Sequence, residues 1–328
     1  MNIESARSSV SASSVSPSSV SPSFGHCYGL LFLPIVLLFL SVGCGGTDET
    51  AAPAGGEETA TGQVLKFSAI PDQSSSHLDD KLAPLIEFLS QELGITVEYV
   101  PARDYQASVE MFRNGDVHLA WFGGLTGVQA RQVVPGARAI AQGAADPEYY
   151  SYFIAHESTG LERAEDLPDN LGELRFTFGS ESSTSGRLMP EFFLRQQFDK
   201  GPMELFTEAP GFSGSHDRTV ELVESGQFQA GVVNYKVYER RVAEGETDPD
   251  VCRVIWKTPY YADYNWTAHP ELDAVHGEGF VDRLQQVLTS IDDPVLLAAL
   301  PRQRLIPARN EDFDKIRQVA LDLEMLRP

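Results

Sequence analysis

VLKFSAIPDQSSSHLDDKLAPLIEFLSQELGITVEYV, residues Val64 to Val100, decides the fold class. Val64 to Ile70 is a short run of β-branched, aromatic and aliphatic residues bounded by a proline, which predicts a strand. Leu82, Leu85, Ile86 and Leu89 then recur at helical spacing on one face, and Gly94 stands where a helix ends in the left-handed conformation. Ile95 to Val100 is a second strand. A strand, an amphipathic helix and a strand in succession make one unit of an α/β fold.

Downstream the alternation continues. Asp104 is a cap for a helix through Phe112, Asn114-Gly115 ends that helix, and Val117 to Phe122 is a strand. Gly123-Gly124 makes a turn into a helix from Leu125 that Pro135 stops. A second series follows Tyr149 to His156, with strands at 174–178, 230–235 and 253–257 and helices at 184–198 and 215–224. After the aromatic stretch from Tyr260 to Trp266, periodicity at 280–291 and 313–326 predicts a mostly helical tail. Two α/β series with such a tail predict two lobes. Residues 64–154 and 255–328 would form a discontinuous first lobe and 155–254 the second, with two crossings as a hinge and a ligand cleft between them.

Upstream of Val64 the chain has a different character. Leu30 to Val42 is an apolar run too short to span a bilayer comfortably, broken by Pro34 and followed by Gly43-Cys44. Residues 1–43 are expected to be a signal peptide. LSVGC resembles a bacterial lipobox, with Ser41 where that pattern prefers a leucine-like residue, so Cys44 is the expected lipidation site. Residues 44–63 are small, polar and acidic and predict a flexible, lipid-anchored tether on the periplasmic side of a bacterial membrane. Cys27, Cys44 and Cys252 suggest no disulfide framework.

The chain carries 25 basic against 47 acidic residues, a net charge of −22, and has no basic block. Nucleic acid is thereby excluded as a natural partner. An acidic body also repels anions at long range, so any anion site must rely on short-range hydrogen bonds and local dipoles. FGSESSTSGRLMP (Phe178 to Pro190) supplies them, because a strand leads into a helix whose first turn carries Ser183, Thr184, Ser185 and Gly186. The free amides of such a turn, the helix dipole and the hydroxyls all favour an oxyanion. GFSGSHDRT (Gly211 to Thr219) is a second turn into a helix. There His216 is a candidate donor, and Asp217 a candidate to fix its tautomer or accept a proton from the ligand. WFGGLTG (Trp121 to Gly127) offers close backbone approach and the Thr126 hydroxyl, without the lysine and spacing of a nucleotide loop. Tyr105 and the aromatics Tyr260, Tyr261, Tyr264 and Trp266 are candidates to line the cleft.

Taken together, FSAIPDQ, WFGGLTGVQAR, FGSESSTSGRLMP and GFSGSHD resemble the phosphate/phosphite/phosphonate-binding family of periplasmic solute-binding proteins, of the type II periplasmic binding fold. They are most similar to the subgroup commonly labelled selenate-binding proteins, over residues 64 to 325. The resemblance implies two α/β lobes joined by a two-strand hinge, and a substrate-binding lipoprotein of an ABC importer. Ser183, Thr184 and Ser185 would hold a small tetrahedral oxyanion with His216, and Tyr105 would match a tyrosine of the first lobe. Where phosphonate binders carry a tyrosine in the glycine turn this chain has Leu125, and the amide of Asn234 stands near a position that can carry an acid for a ligand ammonium. Both differences favour a bare oxyanion over an aminoalkylphosphonate. The implied partners are the permease and ATPase subunits of the importer, with the binding protein a monomer and with no cofactor, metal or catalytic residue.

Two readings of another class compete. Ser185, His216 and Asp217 are the residue types of a hydrolase triad, but neither serine turn fits G-x-S-x-G, and an aspartate adjacent to its histidine cannot readily sit behind the ring. A ligand-sensing lobe protein without a transport role is the other. The histidines form no metal-spaced cluster. Selenate, sulfate, phosphate and phosphite stay open, because they share one geometry and differ in protonation, charge and size.

Overall fold

The computed structural model describes residues 64–73 and 78–327. The signal peptide, Cys44 and the tether expected from the sequence lie outside the described residues.

The first sheet has six strands in the order β11-β4-β10-β3-β1-β2. Its elements are β1 (Val64–Ala69), α1 (Leu78–Leu93), β2 (Thr96–Tyr99), α2 (Tyr105–Arg113), β3 (Leu119–Phe122), α3 (Gly124–Val133) and β4 (Arg138–Gly143). Strand β1 pairs in parallel with β2 and β3. The helix face read from the sequence is the buried one, since Leu82, Leu85 and Leu89 are fully buried and Gly94 takes a φ of 71°. Asp104 caps α2 by accepting from the Ala107 N–H at 2.7 Å.

The second sheet has the order β7-β6-β8-β5-β9. It contains β5 (Ser151–His156), β6 (Phe176–Phe178), a π-helical turn (Thr184–Leu188) running into α4 (Met189–Phe198), α5 (Pro202–Leu205), β7 (Gly211–Phe212), α6 (His216–Glu224), β8 (Ala230–Asn234), α7 (Tyr235–Ala243) and β9 (Cys252–Lys257). Strand β6 is parallel to β7 and β8, while β5 runs antiparallel to β8 and β9.

The C-terminal segment returns to the first sheet as β10 (Asn265–Ala268), α8 (Glu271–His276), α9 (Phe280–Thr289), β11 (Leu305–Pro307) and α10 (Asp314–Asp322). The expectation of a mostly helical tail is corrected here. Strand β10 is inserted antiparallel between β3 and β4, and β11 pairs with the outer side of β4. All four residues of β10 are buried, and a four-residue strand is too short for its periodicity to stand out in the sequence.

The boundaries expected at 154 and 255 also move. Strands β5 and β9 pair with each other over Tyr152 to His156 and belong wholly to the second sheet, so the chain crosses within residues 144–150 and again within 258–264. The two crossings touch at an antiparallel bridge, where Tyr149 and Tyr261 exchange both backbone hydrogen bonds at 2.8 and 2.9 Å. Nearby, the Asp263 N–H donates to the Asp146 carbonyl at 3.0 Å.

Candidate functional site

Parallel strands deliver the site. In each sheet the C-terminal ends of the parallel strands open toward the hinge: Asp72 follows β1, Gly123-Gly124 follows β3, the Ser183–Gly186 turn comes after β6 and Asn234 ends β8. Helices α3, α6 and α7 and the π turn before α4 begin there, so their first-turn amides, which have no partner within the helix, converge on one region. Gly123, the cap residue of α3, has no side chain with which to satisfy them. Asp263 from the returning crossing takes that role, its Oδ1 accepting from the Gly124 N–H at 2.8 Å and from the Tyr264 N–H at 3.0 Å.

The lobes are in direct contact through buried groups. Leu125 N–H, in the first turn of α3, donates to Thr184 Oγ1 of the second lobe at 2.9 Å. His216 N–H donates to the Asp72 carbonyl at 3.1 Å. Asn234 Nδ2 donates to Tyr264 Oη at 3.1 Å, and Tyr264 Oη donates to Asp72 Oδ2 at 2.7 Å. The hydroxyl-bearing turn therefore faces the first lobe.

Ser183 caps the π turn, its Oγ accepting from the Gly186 N–H at 2.9 Å. The five-residue bonding of that turn, with the Leu188 N–H donating to the Ser183 carbonyl at 3.0 Å, widens the helix start around Thr184 and Ser185. A Cβ on Gly186 would lie 3.0 Å from Ser183 Oγ and 3.2 Å from the His216 ring, so glycine lets the imidazole pack over the turn. His216 Nε2 is 3.4 Å from Ser185 Oγ, and its Nδ1 accepts from the Asn234 N–H at 3.3 Å. A ring nitrogen that accepts from an amide is unprotonated, so the neutral imidazole carries its proton on Nε2 and donates toward Ser185. Burial lowers the His216 pKa to about 4, against the opposing pull of Asp217, which keeps the ring neutral near pH 7.

This tautomer bears on the hydrolase reading. A base must offer a lone pair to the serine, whereas here Nε2 offers a proton and a backbone amide, not a carboxylate, stands behind Nδ1. The expectation that Asp217 fixes the tautomer is corrected, because the Asn234 amide holds His216 Nδ1. Asp217 Oδ1 accepts from Arg240 Nη2 at 2.6 Å and Arg241 Nη1 at 3.2 Å, a position dictated by two guanidinium groups on α7.

The remaining candidates divide. Tyr105 is buried at the start of α2, and its phenol sits beside Ser183 without a hydrogen bond of proper geometry. Burial, with Asp72 and Asp263 nearby, raises its pKa far enough to leave it a hydrogen-bond donor. Thr126 is also buried, but its hydroxyl donates to the Gly123 carbonyl at 3.2 Å and is spent holding the glycine turn. Asn234 caps α7 through Oδ1 and bridges to Tyr264 through Nδ2.

Sequence reasoning missed two acids. Burial pushes Asp72 up to about 6, against the Tyr264 hydrogen bond and the Arg302 charge, and pushes Asp263 up to about 6 against the Gly124 amide, the neighbouring Thr184 hydroxyl and the Tyr264 amide. Asp263 Oδ2 is buried without a hydrogen-bond partner. Asp72 lies within the FSAIPDQ stretch that carries the resemblance but was given no role there, and Asp263 belongs to no recognisable motif. The one available signal was an isolated acid directly after a strand, in IPD for Asp72, and in the aromatic return YADYN for Asp263.

Helix starts and hydroxyls from two hinged lobes, closed around buried acids, define a solute-binding protein for a small anion. Residues 67–313 match the family described as ABC transporter, phosphonate, periplasmic substrate-binding protein, and the chain belongs to that family. It is 38% identical over 277 residues to the probable ABC transporter phosphite binding protein PhnD1 of Prochlorococcus marinus, covering 81% of this chain and 91% of that one. The phosphate-import protein PhnD of Mycolicibacterium smegmatis is 29% identical over 75% of this chain and 76% of its own length. A solved structure of the Prochlorococcus PhnD1 in complex with methylphosphonate superposes with a TM-score of 0.76, covering 80% of this chain and 99% of that one. The fold is thus that of the periplasmic binding proteins. Membership makes the chain a transport component, with a small ligand and with permease and ATPase partners at a membrane.

Proposed function

We propose that this protein captures a proton-bearing, tetrahedral phosphorus oxyanion, phosphite or a phosphonate as small as methylphosphonate, and delivers it to its importer. The reading rests on one observation: the unpartnered Tyr105 phenol, as a donor, and the unpartnered Asp263 Oδ2, as an acceptor, are buried together among the first-turn amides of both lobes. A fully deprotonated oxyanion only accepts hydrogen bonds and would be repelled by a carboxylate. A ligand keeping one P–OH donates to Asp263 and accepts everywhere else. Ser183, Thr184, Ser185 and His216 supply the donors of the second lobe, and Tyr105 that of the first. Selenate and sulfate carry no proton near neutral pH and fit this donor and acceptor set less well.

Calorimetric titration of the purified protein with phosphite, methylphosphonate, phosphate, selenate and sulfate tests the reading. Phosphite or methylphosphonate should bind stoichiometrically and be recovered unchanged. Tighter binding of selenate or sulfate would overturn the ligand assignment, and released product would revive the hydrolase.

The same reading makes the protein a monomeric lipoprotein anchored through Cys44 on the periplasmic side, with residues 45–63 as the tether. Replacing Cys44 with Ser should release the exported chain from the membrane fraction. Retention of that variant would remove the lipid anchor.

A further inference from the structure

Arg302 stands between α9 and β11, in no motif, yet its guanidinium is buried in the hinge. Nε donates to both Asp146 carboxylate oxygens at 2.9 Å, and Nη1 donates to the Leu300 carbonyl at 2.6 Å. Nη2 is buried without a partner. The guanidinium carbon lies 5.3 Å from the Trp121 ring centroid, 5.7 Å from that of Tyr149 and 4.6 Å from that of Tyr264. One side chain thus grips the outgoing crossing at Asp146 and Tyr149, the returning crossing at Tyr264, and the end of β3 at Trp121. Gly143 makes the space, since a Cβ there would fall 2.5 Å from both Arg302 Cδ and Asp146 Oδ2.

This grip is one bond away from the oxyanion site on two sides. The Asp146 carbonyl accepts from the Asp263 N–H, and the Tyr264 ring under the guanidinium carries the hydroxyl that bonds Asp72 and Asn234. A buried ion pair stabilises a fold little compared with apolar residues of the same volume, but it fixes geometry strongly once formed. A planar group lying on three rings fixes orientation as well.

We propose that Arg302 is a positioning residue for the oxyanion site. It bolts the C-terminal segment of the first lobe onto both crossings, so that Asp263 and Tyr264 present their oxygens in fixed register and the lobes pivot about a stiff Tyr149–Tyr261 bridge. The ligand half of this statement rests on the phosphorus-oxyanion reading; the hinge half does not.

Amide hydrogen exchange on the ligand-free protein, with Arg302→Met and Arg302→Lys, separates bolting from ordinary stabilisation. Arg302→Met should speed exchange at Tyr149, Tyr261 and Asp263 by about tenfold more than at Val232 and Val233 in the middle of β8. Arg302→Lys, which keeps the charge on Asp146, should recover most of that protection. Phosphite affinity should fall about tenfold in Arg302→Met and recover in step with the hinge amides. If Arg302→Met does not fold, Asp146→Asn loosens the same clamp at constant volume and should give the same local pattern. A uniform rise across both lobes, unchanged hinge amides, or equal exchange in the Lys and Met variants would overturn the proposal. Failure of the wild-type protein to bind phosphite would remove the ligand assignment and leave the exchange comparison to decide the hinge role.

Discussion

Replacing Asp263 with Asn should make the free protein more stable and the binding protein worse. Burial moves the carboxyl from 3.8 to about 6, about two pH units, which corresponds to about 3 kcal/mol of unfavourable ionisation in the folded state. The sign follows from linkage. A carboxyl whose folded pKa lies above its unfolded value adds no penalty below the unfolded pKa, and the penalty grows as the pH rises through 6. Asparagine removes that cost and keeps an oxygen for the Gly124 and Tyr264 amides. It also brings a buried NH2 group that needs an acceptor, worth about 1 to 2 kcal/mol against it. The net expectation at pH 7.5 is a gain of about 1 to 2 kcal/mol, or roughly 2 to 8 °C in melting temperature for a chain of this size. The gain should fade toward pH 5. Phosphite affinity should drop by about 10- to 100-fold, because a charge-assisted hydrogen bond from P–OH to the carboxylate is lost. The assay is a thermal melt of both proteins from pH 5 to 8, with and without phosphite. Parallel stability curves, or undiminished phosphite binding by Asp263→Asn, would refute the reasoning.

His216 gives the opposite pH signature: with its folded pKa lowered by burial to about 4, its contribution is intact above the unfolded value near 6.5 and lost as the pH falls toward 4. Thermal melts of His216→Gln should therefore lack an acid-side destabilisation of about 3 kcal/mol that the wild type shows. Thr184→Val removes the acceptor that Thr184 presents to Leu125 and the donor expected for the ligand, and calorimetry should find binding weaker by about 1 to 3 kcal/mol. Asp217→Ala, by contrast, should cost about 1 kcal/mol of stability by removing the buried carboxylate that Arg240 and Arg241 share, while both keep Glu246, yet change phosphite affinity by less than about threefold. A large affinity loss in that variant would restore Asp217 to the site.

The proposed oxyanion site has no cation in its donor set, in keeping with the acidic composition. In the proposed site the donors are four hydroxyl-bearing side chains and a neutral imidazole, set among helix starts. Arg302 stands behind the Tyr264 ring and is paired with Asp146. Its charge lowers the Asp72 pKa against the effect of burial, so it tempers the acids of the site from outside.

What the sequence determined by itself is whatever depends on neighbours along the chain. The leucine spacing of α1, the Asp104 cap and the strand-to-helix turns at Gly123 and Ser183 are set within a few residues, so the α/β order and one half of the candidate oxyanion site could be read directly. Only the tertiary structure decided the remainder. Strand β10 is a strand because β3 and β4 leave a slot for it, and the orientation of Asp217 depends on arginines 23 and 24 residues away. Asp263 reaches an amide 139 residues distant and Arg302 a carboxylate 156 residues distant, contacts that no local pattern encodes. Burial then turns these two side chains from ordinary surface chemistry into an unpaired acceptor and a fixed hinge, since a carboxylate or guanidinium has its properties set by what replaces water around it.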